Sequence, residues 1–435
     1  MTAFSVRRPA RVALSGSVDA SGDIGLGSPP SAADPFEVAA DGIWTWFTMP
    51  EAIQVGDFLY TGSVSSDGRC RGHKTNLTNN TSQTFDLSGV LEVDDHNNAS
   101  VLEMPDGRIA FFYGSHNDTQ FKYRIYNGAG DFASSAAWTA QSSRGTGDGP
   151  YSYPKPHIFP GDTVSGRVWL FHRRWTDGSG TTRTMTWRRT NTLTGSSDPW
   201  GAYTDVLLET GQRPYVVMYQ DGNKLHCAMS SAQPNESTFL TISHCYAEMT
   251  AGALVWKRSD GTTISPAPFA ISDTTRADDG GNLKRWVSDV GVGSDGHPRI
   301  LWMRYPNNNG TQIEYWHSRW TGSAWVAHKV TDDGAGLYAL EEFYHGGLRF
   351  HQGDVTRIYL SAPISGVRQI QEWRTSDNGA TWGKHRDITT GGTANNPLKA
   401  RPIGVKGGDG RVSVLWWQGT YTTFVNYNTS IRAAG

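Results

Sequence analysis

Two histidines, His96 and His116, stand twenty positions apart in the stretch Asp94 to His116, which reads DDHNNASVLEMPDGRIAFFYGSH. Imidazole can give or take a proton near neutral pH, so two of them brought together can run acid–base chemistry. The residues between them decide whether they meet. SVLEM and RIAFFYG have the composition of strands, and Pro105-Asp106-Gly107 between them has the chemistry of a turn. A tight hairpin brings the start of one strand beside the end of the next. The clusters Asp94-Asp95-His96-Asn97-Asn98 and Ser115-His116-Asn117-Asp118 should therefore share one end of a β scaffold, where all-β enzymes commonly hold their reactive groups.

The rest of the chain is built to supply such a scaffold. Gly is abundant at 50 residues, aromatics reach 11 %, and 17 Trp and 17 Tyr are present among 435 residues. Long stretches of Ala, Leu, Glu and Lys at helical period are absent. Short β-branched and aromatic runs separated by Gly, Asp, Asn and Ser recur instead, which predicts an all-β chain. A formal net charge of −2 gives no reason to expect nucleic acid as a partner. No apolar run approaches the roughly 18 residues needed to cross a bilayer, so no membrane insertion is expected. The start, MTAFSVRRPARVALSGSVDAS, does not read as a secretory signal. An extracellular location is still expected, after removal of a signal or on a phage particle. Cys70, Cys227 and Cys245 are too few for a disulfide scaffold. A Cys227–Cys245 bridge between neighbouring strands and reduced core thiols both remain open.

Residues 1–38 form a Gly/Ser/Pro-rich leader with little to bury, read as a flexible arm or an attachment segment. From there to residue 435 no composition break marks a second domain. Asp-Gly turns recur at Asp67-Gly68, Asp106-Gly107, Asp177-Gly178, Asp221-Gly222, Asp260-Gly261, Asp295-Gly296, Asp333-Gly334 and Asp409-Gly410, several of them 35 to 40 residues apart. That is near the length of a four-stranded propeller blade. Thr375-Ser376-Asp377-Asn378-Gly379-Ala380-Thr381-Trp382 matches the Asp-box, a structural turn in which Asp caps backbone N–H groups and Gly takes positive φ.

The DDHN run, the hydrophobic strand, PDGR, the second strand and its terminal His together resemble the opening motif of the BNR-type β-propeller polysaccharide lyases, the ulvan lyases among them. Further segments are similar: DGIWTWF near Trp44, YSYPKPHIFPGDTVSGRVWLFHRRW, TGQRPYVVM with NKLHCAMSSAQPNE, QIEYWHSRWTGSAWVAHKV, LEEFYHGGLRFHQGDVTRIYLS, and the C-terminal ARPIGVKGGDGRVSVLWWQGTYTTFVNYNTSI. The resemblance covers roughly residue 40 to the end. It implies a single propeller over residues 39–435, with about 55 residues in each of seven blades and the two chain ends paired in one blade.

It also implies a site and a reaction, β-elimination from a uronic-acid-containing anionic polysaccharide. His96, His116, Tyr151 and Arg173 take the catalytic positions. Asn97, Tyr153, Arg213, Tyr215, Tyr344 and His345 are candidate substrate contacts. The chain departs from the family where Tyr153 replaces an Asn, which leaves open whether Tyr151 or Tyr153 meets the substrate. It departs again at Gln233, where a His is expected and a metal or substrate contact is lost. The chemistry accounts for the residue types. The C5 proton of a uronate is very weakly acidic, and a bidentate Arg on the carboxylate stabilises the enediolate that forms on its removal. His and Tyr can serve as base and acid. Tyr at its ordinary pKa of about 10 needs a nearby cation to act as base.

Adjacent strand residues face opposite ways, so only one of Arg173 and Arg174 can enter the site; Arg173 is the choice. The same alternation divides His226 from Cys227 and His244 from Cys245, and their spacing fits no compact zinc motif. No metal ligands are assigned and no cofactor is required for catalysis, although the reading leaves room for a structural metal ion. HExxH, Walker and GxSxG motifs are absent. Two other readings stay open. One is a glycoside hydrolase on the same fold, rhamnosidase- or sialidase-like. The other is a glycan-binding or phage receptor-binding protein without turnover.

Overall fold

The computed structural model describes residues 34–116, 118–145, 150–175, 183–190, 193, 200–235, 240–393 and 396–435. Most of the short strand-forming runs pair with their neighbours in sequence, which yields seven separate antiparallel sheets, six of four strands and one of five. The first strands of the sheets are Ala52–Val55, Ser100–Glu103, Tyr151–Ile158, Tyr215–Asp221, Lys284–Val292, Leu348–His351 and Leu398–Gly404, and they meet around a common axis. The molecule is a seven-bladed β-propeller. Strand Thr275–Asp278 adds a fifth member to the fourth sheet.

Ring closure comes from the chain ends, as expected. Strand Phe36–Ala39 pairs with Asn426–Ala434, placing Phe36 opposite Ala433 and Ala39 opposite Ile431. The propeller thus begins at Phe36, three residues earlier than the sequence suggested; residues 1–33 lie outside the described residues. A second seam joins the last blade to the first, where Gln54 N donates to Lys406 O (2.8 Å) and Lys406 N to Ala52 O (3.1 Å).

Strands covered on both faces by neighbouring blades can be apolar along their whole length, as in Ile109–Tyr113, which is buried at every residue. Trp44, Trp169, Trp286, Trp302, Trp416 and Trp417 fill the spaces between blades. Seven of the eight Asp-Gly turns have their Gly at positive φ, between +57° and +95°; Asp177-Gly178 lies outside the described residues. In the turn from Thr375 to Trp382, the Asp377 carboxylate accepts from Thr381 N (2.9 Å) and from the Thr375 and Thr381 hydroxyls, with Gly379 at φ +87°. Gly62 has a direct bearing on the site. A Cβ there would lie 2.5 Å from Ala99 O, so only glycine lets the first blade lie against the start of the His96-bearing strand.

Candidate active site

The hairpin Ser100–Glu103 and Ile109–Tyr113 forms in the expected register, Ser100 opposite Phe112, and brings the two polar clusters together. Asp94 caps a single 3-10 turn, Asp95–Asn97, by accepting from His96 N (2.9 Å). Its carboxylate then bridges both imidazoles, accepting from Nδ1 of His96 and from Nδ1 of His116 (3.0 Å). The rings stack 4.2 Å apart, 5° from parallel. A carboxylate only accepts, so both Nδ1 atoms carry hydrogen and both Nε2 atoms face the remainder of the site. His96 Nε2 lies 3.3 Å from the Tyr344 hydroxyl.

Two stacked imidazoles cannot both be charged. Burial pushes His116 down to about 4, aided by repulsion from His96 and opposed by Asp94. Burial also works against a proton on His96, but Tyr153, Asp94 and Asp95 outweigh it and raise its pKa well above the histidine range. Despite its burial, Asp94 is held well below the carboxylate range by the two histidines. The pair therefore carries one positive charge, on His96.

Strand Tyr151–Ile158 supplies the opposing wall. Its ladder with Val168–Trp175 is regular from Ile158 to Lys155, then slips before Ser152, which pairs with Arg173. At the slip Tyr153 takes φ +59°, a conformation costing a non-glycine residue about 1 kcal/mol or more. The bulge turns the Tyr153 ring to the Arg173 side of the sheet. The ring lies 5.9 Å from His96 and 4.4 Å from the Arg173 guanidinium, whose other neighbour is Tyr215 at 4.9 Å. Arg173 Nε donates to Ser152 Oγ (3.2 Å), while the buried Nη1 and Nη2 are left to the Tyr153 and Tyr215 hydroxyls, which act on the guanidinium from either side. No carboxylate among the described residues pairs with this buried guanidinium, whose two Nη groups have the geometry of a carboxylate fork. Arg174 points away to Asp205 (3.1 Å). Lys155, also buried, donates to Tyr153 O (3.1 Å); burial and the charge of Arg173 bring its amine down to about 7.

The structure thus brings His96, His116, Arg173, Tyr153, Tyr215 and Tyr344 together. Tyr151 lines the same small cleft as His96, but its hydroxyl accepts from Arg188 Nη2 (3.1 Å) and its ring packs on His172 (4.7 Å). Of the two tyrosines, Tyr153 holds the position between Arg173 and His96. Arg213, half-buried, lies at the rim, where it and His96 both act on the Glu341 carboxyl. Two expected substrate contacts are corrected. His345 is fully buried and stacked on Trp46 (4.6 Å), away from the open cleft. Asn97 is fully buried too, its amide donating to Glu92 O (3.2 Å), and Glu92 in turn accepts from His116 N (2.8 Å). Asn97 fixes the loop rather than the substrate.

Several contributors were not assigned from sequence. Asp94 was visible in the DDHN run, but its bridging role needed the hairpin geometry. Gln233 accepts from the Tyr215 hydroxyl (3.3 Å) and so anchors one of the rings on Arg173. Beneath the cluster, Arg401 pairs with Asp95, donates to Tyr421 Oη (2.8 Å) and Trp44 O (2.8 Å), and lies 3.9 Å over Trp46. The cavity beside Arg173 holds only about 10 Å³, room for one water at most. A sugar carboxylate reaches Arg173 only when the Tyr153 or Tyr215 ring moves.

Asp94, His96 and His116 each place a potential ligand atom within 4.8 Å of the others. Their Nδ1 hydrogens are already committed to Asp94, so a cation there would have to displace that network. Cys227 and Cys245 sit directly opposite each other, yet both thiols are free. Among the described residues no helix is long and apolar enough to cross a membrane.

The fold is shared with an ulvan lyase solved with a bound -[GlcA(1-4)Rha3S]- saccharide, at TM-score 0.70 and 14% identity over 91% of this chain and 94% of that one. The same lyase without saccharide gives TM-score 0.69, with the same identity and coverage. A Burkholderia pseudomallei lectin gives TM-score 0.51 at 10% identity, covering 91% of this chain and 96% of the lectin. No curated protein matches the chain. At the level of sequence, the profile described as BNR repeat-containing family member matches residues 60–333, well over half the chain. The protein belongs to the BNR repeat-containing family.

Proposed function

We propose that the protein is a polysaccharide lyase acting on a uronic-acid-containing anionic polysaccharide by β-elimination. The observation that carries this reading is the buried Arg173 fork, paired with no carboxylate among the described residues, set against Tyr153 and a histidine pair carrying one positive charge. A uronate carboxylate fills the fork, and its charge is neutralised as the enediolate develops. Tyr153, with Arg173, Lys155 and protonated His96 around it, takes the C5 proton as phenolate. The electron pair moves into the C4–C5 bond, the C4–O bond breaks, and the departing oxygen takes its proton from His96. Proton transfer from Tyr153 to His96 restores the starting state, so one proton passes from C5 to O4 per cycle. No metal is needed in this scheme, because Arg173 supplies the positive charge at the carboxylate.

The fold shared with a saccharide-bound ulvan lyase supports a polysaccharide partner of this kind. Such polymers are extracellular, which is where the protein would act. The test is ultraviolet absorbance during incubation with ulvan or a glucuronan. Elimination makes a conjugated double bond and raises the absorbance, whereas hydrolysis or binding alone does not. New reducing ends without that absorbance would make the protein a hydrolase, and neither signal would leave a binding protein.

A further inference from the structure

The first strands of the blades all run in one sense. Their starts, with Tyr153, Tyr215 and the residues after His96, build the candidate active site. Their ends border a different cavity. It measures about 290 Å³ and is lined by Glu51, His157, Tyr219, Gln220, Gln352 and Lys406, among others. Tyr215 and Tyr219 are four residues apart on one strand, so the cavity lies about 13 Å along the axis from the catalytic cluster. Between the two, Arg349 pairs with Glu51 (2.8 Å) and closes the passage with buried side chains.

The wall of this cavity has unused polar capacity. His157 is 4 % exposed, and its Nδ1 lies 3.2 Å from Gln220 Oε1. Gln220 Nε2 is committed to Ile158 O (2.7 Å) and Gly222 O (3.0 Å), so the amide oxygen must accept and His157 Nδ1 must donate. Nε2 is then a lone-pair acceptor, buried and without a partner. An unmet buried acceptor of this kind costs free energy unless a ligand or water supplies a donor. The same cavity is lined by Tyr219, Gln352, Glu51 and Lys406, with His157 in its wall. A second hollow of about 350 Å³ adjoins, sharing Gln220, Lys406 and Gly407.

We propose that this axial cavity is a second carbohydrate site, taking one sugar ring on the face opposite the catalytic cluster. The size is at the small end for ligand pockets, which run from about 300 Å³ upward, and suits a single ring. Sugar hydroxyls donate and accept alike, so they suit a wall that offers the Glu51 carboxyl, the Gln352 amide and the Lys406 amine. The Tyr219 ring offers the apolar face that a pyranose packs against. A metal ion fits less well, because the Glu51 carboxylate is already held by Arg349. An anion would find Lys406 alone.

Saturation-transfer NMR of the full chain with D-glucose, D-galactose, D-xylose and L-rhamnose, each titrated to tens of millimolar, tests the proposal. At least one sugar should bind saturably. Tyr219→Ala should weaken that binding tenfold or more, and Gln352→Ala, at a turn on the rim, should weaken it in the same direction. Tyr153→Phe, on the other face, should leave it unchanged. No saturable binding by any of the four would overturn the proposal. So would binding that survives both cavity variants, or binding lost with Tyr153→Phe.

Discussion

Arg173 and the two tyrosines separate by what each hydroxyl or guanidinium touches. Arg173→Ala removes the fork on which carboxylate neutralisation depends. The rate at saturating substrate should fall about a hundredfold or more, equivalent to roughly 3 kcal/mol, because the contact matters most as the enediolate forms. Arg173→Lys should recover only part of this, since a point charge cannot make the bidentate pair. Tyr153→Phe should cost a comparable factor if its phenolate is the base. Tyr151→Phe loses a hydrogen bond from Arg188 instead, so it should lower stability by about 1 kcal/mol and change the rate little. Turnover and denaturation measured on the same four variants decide the matter. A dead Tyr151→Phe beside an active Tyr153→Phe would move the base to Tyr151.

At the scale of elements, the sequence was most readable where regular strands and turns govern the outcome. The His96–His116 hairpin and the closure by both chain ends follow from turn chemistry and family resemblance, and the structure has them; Arg173 and Arg174 face opposite ways, as strand alternation requires. Readability stopped at the bulge. Period-two counting puts Tyr151 and Tyr153 on one face, whereas the slip before Ser152 and the left-handed Tyr153 divide them. His345 was misplaced because nothing local to YHGG shows that Trp46, some 300 residues away, lies over its ring. The closing strand offers its own test. A chain beginning at Gly42 lacks the pairing of Phe36–Ala39 with Asn426–Ala434 and exposes Ile431 and Ala433. It should melt at least 5 °C or so below a chain beginning at Asp34, since each kcal/mol lost shifts Tm by about 2–4 °C in a domain of some 200 residues. Equal melting points would mean that the three remaining strands of that blade close the ring unaided.

For the whole molecule, the packing that holds seven blades together also sets its response to acid. His73, His157 and His317 are buried deeply enough to be pushed down to about 3, with His226 and His116 at about 4; burial is the first cause in each. Each is neutral in the folded protein but takes up a proton near 6.5 once unfolded. Between those values the unfolded chain binds more protons, so stability falls as the pH is lowered, by up to about 1.4 kcal/mol per unit for each such group. His96 works in the opposite direction. Its raised pKa contributes stability that is fully present below 6.5 and is lost as the pH rises through the raised value. His351, lowered to about 4 by burial, joins these five. Glu51, raised by burial to about 7, works against them between that value and the ordinary carboxylate range. His96 is protonated in both states below 6.5, so the six histidines outweigh the one carboxyl. The melting temperature is therefore expected to fall steadily as the pH drops from about 6.5 towards 4, and His73→Asn, which cannot take up a proton, should flatten part of that slope. A melting temperature that stayed level or rose over this range would show that these buried histidines take up protons inside the folded propeller.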